Sequence, residues 1–358
     1  MKKQNIYKTL TLFLFIQVLF ISIISKFPRI VETYYSNGIY PSISSIFRKV
    51  FGWISFSIGD IYYFLLGIFL VASIYSFFRS GLKDIRESLF RLGAYLSIFY
   101  FFFNLLWGMN YYKDSLFNTL DLEQKEYSLN DLVALTNDLV LLTEKSHYAI
   151  TKNDTLKINI LDSEETIIQQ VQTGYVHLST KFTQFTYHNK SIKKSLFSVP
   201  LTYMGFSGYF NPISGEAQVD YLVPKINLPM ISSHEVAHQL GYASESEANF
   251  VGYLAATHHT DNYFKFSGYS SALRYSIRAL YGKDSIKGRQ IIDSLPKGII
   301  KTFKESQDFW RSYQNKAEPF FKLFYDNYLK ANQQQDGLQG YSKMVGLLVA
   351  YREKYGLE

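Results

Sequence analysis

The sequence predicts N-terminal transmembrane α-helices followed by an α+β, mostly α, ectodomain with a small β-sheet beside one helix. That helix carries the pattern His-Glu-x-x-His. Three observations predict this fold. Three long uncharged apolar runs lie in the first third of the chain. The surplus positive charge is confined to the same third. Strand-like stretches rich in β-branched and aromatic residues sit just before His234-Glu235-Val236-Ala237-His238.

The chain has 358 residues, 47% hydrophobic and only 19% charged, with 30 Tyr and 30 Phe. That is too apolar for a disordered chain. It contains no Cys. Disulfide frameworks, Cys-based zinc sites, iron–sulfur clusters and thiol nucleophiles are therefore excluded. The net charge is +7. Residues 1–112 hold eleven Lys and Arg against four acids, a surplus equal to the net charge of the whole chain. The remainder is neutral, so the charge marks membrane topology and not a nucleic-acid partner.

The uncharged runs are Thr9–Ser25, Ile61–Phe78 and Leu92–Tyr112. A span needs roughly 17–25 residues, so three spans are expected at about 9–25, 61–78 and 92–110, with the lipid bilayer as first partner. The first run is also the length of a signal peptide, but Ser25-Lys26-Phe27-Pro28 makes a poor cleavage site. Lys2, Lys3 and Lys8 precede the first span, and Arg79, Lys83, Arg86 and Arg91 lie between the second and third. The positive-inside rule places both groups in the cytoplasm. Residues 1–112 then form a membrane domain, and 113–358 an extracytoplasmic one.

In that second part, Ser128-Leu-Asn-Asp131 reads as the cap of a helix running to about 145. Asp162-Ser-Glu-Glu165 reads as a capping box opening a helix to about 180. Strands are expected within Leu196–Met204 and Glu216–Val223, punctuated by Gly205, Gly208, Pro212 and Gly215. Helices are expected at 229–240, 245–259, 268–281, 285–294, 300–330 (broken near Pro319) and 339–354. Asn332–Asp336 reads as a polar linker.

His234 and His238 are one helical turn apart, so both imidazoles reach one ion, and Glu235 lies beside that face. Pro229 and Gly241 bracket the helix. This is the arrangement a zincin-like metallopeptidase needs. Zn2+, one ion, requires a third protein ligand. Gly241 can reverse the chain, and Ser244 with Glu247 forms a capping box for a second helix that returns past the first. Glu245 and Glu247 both qualify as the ligand. Glu245 with Asn249 resembles the Glu-x-x-x-Asp of the gluzincin proteases. There the Glu binds zinc and the Asp, here Asn249, orients a ligand His.

The segments HEVAHQLGYASESEANF, Ser207–Val223 and Tyr328–Leu348 resemble the bacterial membrane proteins grouped as "domain of unknown function 3810". The resemblance covers most of the chain and implies N-terminal spans, a zincin-like domain and a bacterial inner membrane, with the catalytic part on the periplasmic side. It implies no substrate.

The expected chemistry is peptide-bond hydrolysis. Zinc lowers the pKa of its water toward about 7 and Glu235 acts as general base. The tetrahedral oxyanion needs a stabiliser, for which His258, His259, Tyr209 and Tyr242 are candidates. Glu216, Ala217, Gln218, Val219 and Asp220 are candidates for a strand that pairs with extended peptide or protein substrate. A competing reading is a catalytically silent, zinc-stabilised membrane scaffold or binding module. An intramembrane protease is disfavoured, because polar residues flank the motif on both sides. The oligomeric state is not encoded in any of these features.

Overall fold

The structure is a computed structural model that describes residues 2–80, 85–332, 334 and 341–358. Most of the linker read at 332–336, and residues 339 and 340 of the last predicted helix, lie outside these residues. The architecture is mostly helical with one three-stranded sheet.

Three helices are long and apolar enough to cross a membrane: α1 (Lys2–Ile24), α4 (Ile58–Ser80) and α5 (Ile85–Leu106). Between α1 and α4 lie α2 (Pro28–Ile30), a π-helical stretch Val31–Ile39, and α3 (Tyr40–Phe51). Helices α1 and α5 run parallel. Thr11 Oγ1 donates to Phe90 O (2.9 Å), and Gln17 Nε2 donates to Ser97 Oγ (2.8 Å). A Cβ at Gly93 would lie 2.6 Å from the Thr11 side chain, so glycine sets this close approach. The third apolar helix ends at Leu106, short of the predicted 110. Residues Gly108–Tyr112 form a 3-10 turn, and Asn110, Tyr111 and Tyr112 are buried.

The rest of the chain comprises α6 (Leu116–Thr119), α7 (Leu129–Thr151), α8 (Glu164–Lys181), β1 (Ile192–Lys194), α9 (Ser198–Met204), β2 (Gly208–Asn211), β3 (Glu216–Val219), α10 (Leu228–Gln239), α11 (Glu245–Thr257), α12 (Asn262–Lys283), α13 (Ser285–Ser294), α14 (Lys297–Tyr313), α15 (Glu318–Ala331) and α16 (Tyr341–Tyr355). Ser128 and Asp131 cap α7 reciprocally. The cap of α8 is one residue later than predicted. Ser163 accepts from the Thr166 amide at 3.1 Å. Leu196–Met204, predicted as strand, is mostly the helix α9. Ser195 Oγ accepts from the Phe197 amide, Pro200 sits in the first turn where a missing N–H costs nothing, and Gly205 at φ 79° closes the helix.

The sheet order is β1-β3-β2, parallel between β1 and β3 and antiparallel between β3 and β2. Helix α10 is enclosed by α8, α11, α12 and β3. Leu132, Leu139, Val171, Val236, Phe250, Val251 and Leu273 bury one continuous core around it. Gly252 lets α11 lie against α10. A Cβ there would sit 2.9 Å from His234 N.

The boundary predicted at 112/113 is not a packing boundary. The last carbonyls of α10 have no partners within their own helix. They receive donors from the segment between the first two apolar helices. Tyr40 Oη reaches Gln239 O at 3.0 Å, Ser44 Oγ reaches it at 2.9 Å, and Arg48 Nη1 reaches it at 3.1 Å. A cation at a helix C-terminus also complements the helix dipole. Glu216 of β3 accepts the amides of Ile58 and Gly59 at the start of α4, and it pairs with the buried Lys193 ammonium. Lys193 also donates to Phe51 O and Phe56 O, each at 2.9 Å.

Residues 113–358 expressed alone therefore lack Arg48, Tyr40, Ser44 and the groups that partner Lys193 and Glu216 from residues 51–59. The Lys193–Glu216 pair itself stays in the fragment, but each buried group that loses its hydrogen-bond partner costs about 1–3 kcal/mol. The fragment should aggregate, while the full chain in detergent elutes as a single species. A fragment that is monodisperse by size-exclusion chromatography, with native-like denaturation, would refute this dependence.

Candidate functional site

Helix α10 projects His234 and His238 one turn apart, with ring centroids 4.6 Å apart and Nε2 atoms 3.1 Å apart. Gly241, at φ 87°, reverses the chain into α11. The first residue of α11 is Glu245. Its carboxylate lies 3.3 Å from His234 Nε2 and 3.6 Å from His238 Nε2. Three ligating groups thus converge on one point.

The hydrogen bonds around this point favour metal ligation. His238 Nδ1 lies 2.7 Å from Tyr242 O, so Nδ1 carries the proton and Nε2 keeps its lone pair. Tyr325 of α15 donates to Glu245 Oε1 at 2.6 Å. Among the described residues, His234 Nδ1 and Glu235 Oε2 are two of ten buried side-chain atoms without a hydrogen-bond partner. Ligating atoms of His234, Glu235 and His238 lie within 4.8 Å of one another. A transition-metal ion fits this donor set of two imidazoles and a carboxylate.

The electrostatics are those of a desolvated cluster. Burial pushes the Glu235 carboxyl up to about 8. Burial also opposes ionisation of Glu245, but His234, His238 and Tyr325 outweigh it and hold Glu245 below the usual carboxylate range. Burial and the neighbouring His234 lower His238. For His234 burial is outweighed by Glu245, with smaller contributions from Glu235 and Asn249, and its pKa rises. Asn249 lines the cavity beside His234, but no hydrogen bond joins it to His234 Nδ1.

Other predicted site residues lie elsewhere. Glu247 accepts from the Leu116 amide at 2.7 Å, and its carboxyl is influenced by Lys113. It faces away from the imidazoles, as two residues along a helix require. Ser244 makes no side-chain cap, so the predicted box with Glu247 does not form. His258 and His259 end α11, about 20 Å from Glu245 at ~1.5 Å per residue. His258 Nδ1 bonds Leu254 O at 2.8 Å, and His259 stacks on Phe264 at 3.9 Å. Both are structural. The phenol of Tyr242 lies under Lys113 Nζ (3.4 Å), so only its carbonyl serves the site. Tyr209 donates to Asp60 and stacks on Tyr63.

Strand β3 is the centre of the sheet, so Glu216, Ala217, Gln218 and Val219 have neighbours on both sides and cannot add a further strand. Asp220 turns to Thr202 Oγ1 at 2.6 Å. The edge strand beside the motif is β2. A Cβ at its Gly208 would lie 2.7 Å from Glu235 Oε1, so glycine keeps this position open. Phe210 of β2 packs on Trp107, whose Nε1 approaches His238 O at 3.4 Å. Sequence reasoning missed Trp107, Gly208 and Tyr325. Tyr325 is 80 residues from its partner and is one of 30 tyrosines. No local signal marks it.

A cavity of about 310 Å³ opens beside the imidazoles, lined in part by Ser207, Met230, His234, Glu245 and Asn249.

Fold and site together define a mostly helical protein with three apolar helices of membrane-crossing length and a buried His-Glu-His cluster. Residues 35–349 match the family described as protein of unknown function (DUF3810), and the chain belongs to that family. No curated protein and no solved structure matches it.

The geometry separates the two acids of α11. Glu245→Ala should remove stoichiometric metal from the full chain. Tyr325→Phe should weaken metal binding roughly 10–100-fold, because it frees Glu245 from one orienting bond. Glu247→Ala should retain metal and lose about 1–3 kcal/mol of stability. Elemental analysis and competitive chelator titration measure all three. Metal lost in Glu247→Ala and kept in Glu245→Ala would transfer the ligand role.

Proposed function

We propose that the chain is a membrane-anchored zinc metallopeptidase of zincin-like design, hydrolysing peptide bonds at a site on the extracytoplasmic side. One observation carries the reading. A buried carboxylate, Glu235, sits within 4.8 Å reach of two convergent imidazoles and keeps one oxygen free of any protein partner. Two His and Glu245 suit zinc, and a catalytic zinc site uses three protein ligands with one open position. A purely structural site would employ a fourth.

Zinc, when bound, supplies Lewis acidity and an acidified water. The chain's residues supply the rest. Tyr242 O holds the His238 tautomer, and Tyr325 holds Glu245. Burial keeps the Glu235 pKa near the range where a carboxylate can take a proton from water and return it to a leaving amine. The free edge of β2 is the place for an extended substrate, held by main-chain hydrogen bonds. The alternative, a silent zinc-stabilised scaffold, shares the ligands but has no use for Glu235.

His234→Ala or His238→Ala should abolish zinc binding. Glu235→Gln should keep zinc and lose hydrolysis, because the base is not a ligand. Peptide-library cleavage by the full chain in detergent, with zinc content measured in parallel, reads both. A Gln variant as active as the wild type would sink the mechanism.

The basic residues before α1 and around the α4–α5 connection support a cytoplasmic N-terminus, and the parallel course of α1 and α5 is consistent with it. A reporter fused after residue 85 should read as cytoplasmic and one after residue 120 as exported. Reversed signals would place the site in the cytoplasm.

A further inference from the structure

The cavity beside the imidazoles has a second polar end. Besides His234 and Glu245 it is lined by Asn227, Ser271, Arg274 and Tyr275. Arg274 lies on α12, and α12 packs on α10. Its guanidinium is placed 5.7 Å from the Phe303 ring centroid. Among the described residues no carboxylate pairs with it, and it makes no hydrogen bond. Arg274 is exposed and lines the cavity. Desolvation by its neighbours lowers its pKa from the usual value, and the adjacent Tyr275 opposes that shift.

An exposed guanidinium on a cavity wall, with no carboxylate partner among the described residues, is free to receive one. Arg has five donors in a planar fork, and its charge is relieved by an anion of matching shape. The other charged or basic arginines near the site do not share this state. Arg48, for instance, is spent on backbone carbonyls. Met230, Ile231, Trp310 and Met344 add apolar surface between the polar groups of the cavity wall. At about 310 Å³ the cavity is at the small end of ligand pockets, which run roughly 300–1,000 Å³. It suits a short end of a chain better than a passing polypeptide.

We propose that Arg274 forms a carboxylate-binding subsite, so that the substrates of this site are peptides presenting a carboxylate beside the bond to be cleaved. The inference rests on the peptidase reading for its meaning, but not for its test. The carboxylate has two sources, the free C-terminus or an acidic side chain. The chemistry at the guanidinium is the same for both: two parallel N–H donors to two carboxylate oxygens. Arg274 is then a specificity-determining residue, distant in sequence from the motif and supplied by a different helix.

The test measures binding and not turnover. The full-length, metal-free protein in detergent is titrated with N-acetylated dipeptides. One pair differs only in a free or amidated C-terminus. A second pair, both amidated, differs only in Glu or Gln as the last residue. The wild type should prefer the acid in at least one pair by roughly 10- to 100-fold, as a charge-assisted pair lost in the amide requires. The pair that shows the preference identifies the source. Arg274→Gln should erase it, and Arg274→Lys should keep part of it. Because Arg274 partners no acid, neither variant strands a charge, and unchanged denaturation midpoints confirm folding. Equal binding of acid and amide in both pairs, or a preference that survives Arg274→Gln, overturns the proposal. Absence of hydrolysis would defeat the peptidase reading and leave this result unaffected.

Discussion

Moving a carboxylate out of water costs several kcal/mol even after the surroundings relax. Glu245, half-buried between His234 and His238, bears part of that cost, and the surrounding structure offsets it. Gly252 permits the close contact of α10 and α11 that brings the acid to the imidazoles. Gly241 permits the reversal between the two helices. Tyr325 brings a hydroxyl from α15. Tyr242 contributes its carbonyl to His238 while its ring carries Lys113, which in turn stands by Glu247. Each of these parts is intelligible once the half-buried carboxylate and its two imidazoles are taken as fixed.

The same constraint ties the soluble part to the apolar helices. Helix α10 must end at Gln239 to let the chain turn, and its last carbonyls are buried as a result. Water cannot satisfy them there, so protein donors must. They come from α3 and from Trp107, on either side of the second and third apolar helices. The N-terminal end of α4 and the C-terminal end of α5 are thereby tied to the elements around the His-Glu-His cluster. An anchor joined by a flexible linker would need none of this. The arrangement holds the site at a fixed height beside the ends of the apolar helices.

Local signals in the sequence carried much of this. The apolar runs, the histidine spacing and the Ser128 cap depend on neighbours a few residues apart. The choice between Glu245 and Glu247 does not, since both stand in the first turn of α11 and only the packing of that helix on α10 shows which one faces the imidazoles. What was illegible depends on distant partners. Leu196–Met204 has strand-like composition, but Ser195, Pro200 and Gly205 fix a helix, and β1 fills the sheet position instead. Glu216–Val219 is a strand as read, yet only the pairing order reveals that it is central. Its alternating polar residues are polar because Glu216 and Gln218 bond to the start of α4, not because one face meets solvent. The α3 segment between the first two spans carried no motif at all.

Whether the cluster performs chemistry or merely stabilises the fold turns on what the protein does with its spare polar atoms. A site built only for stability has every reason to satisfy them, because each unpaired buried group costs about 1–3 kcal/mol. Here Glu235 Oε2 and His234 Nδ1 are left without partners next to the two imidazoles, and a guanidinium is left without an acid in the adjoining cavity. Gly208 holds the edge of the sheet off Glu235 when almost any other residue would cover it. Among the described residues eight other buried side-chain atoms are also unpaired, so the number of such atoms decides nothing. What sets Glu235 Oε2 and His234 Nδ1 apart is that their side chains stand together beside a second imidazole, where one bound ligand could engage both residues. The Arg274 guanidinium on the adjoining cavity wall adds a positive charge that an anionic ligand would meet. A scaffold has no use for that combination of groups, and this is the ground on which a reactive site is proposed over a silent one.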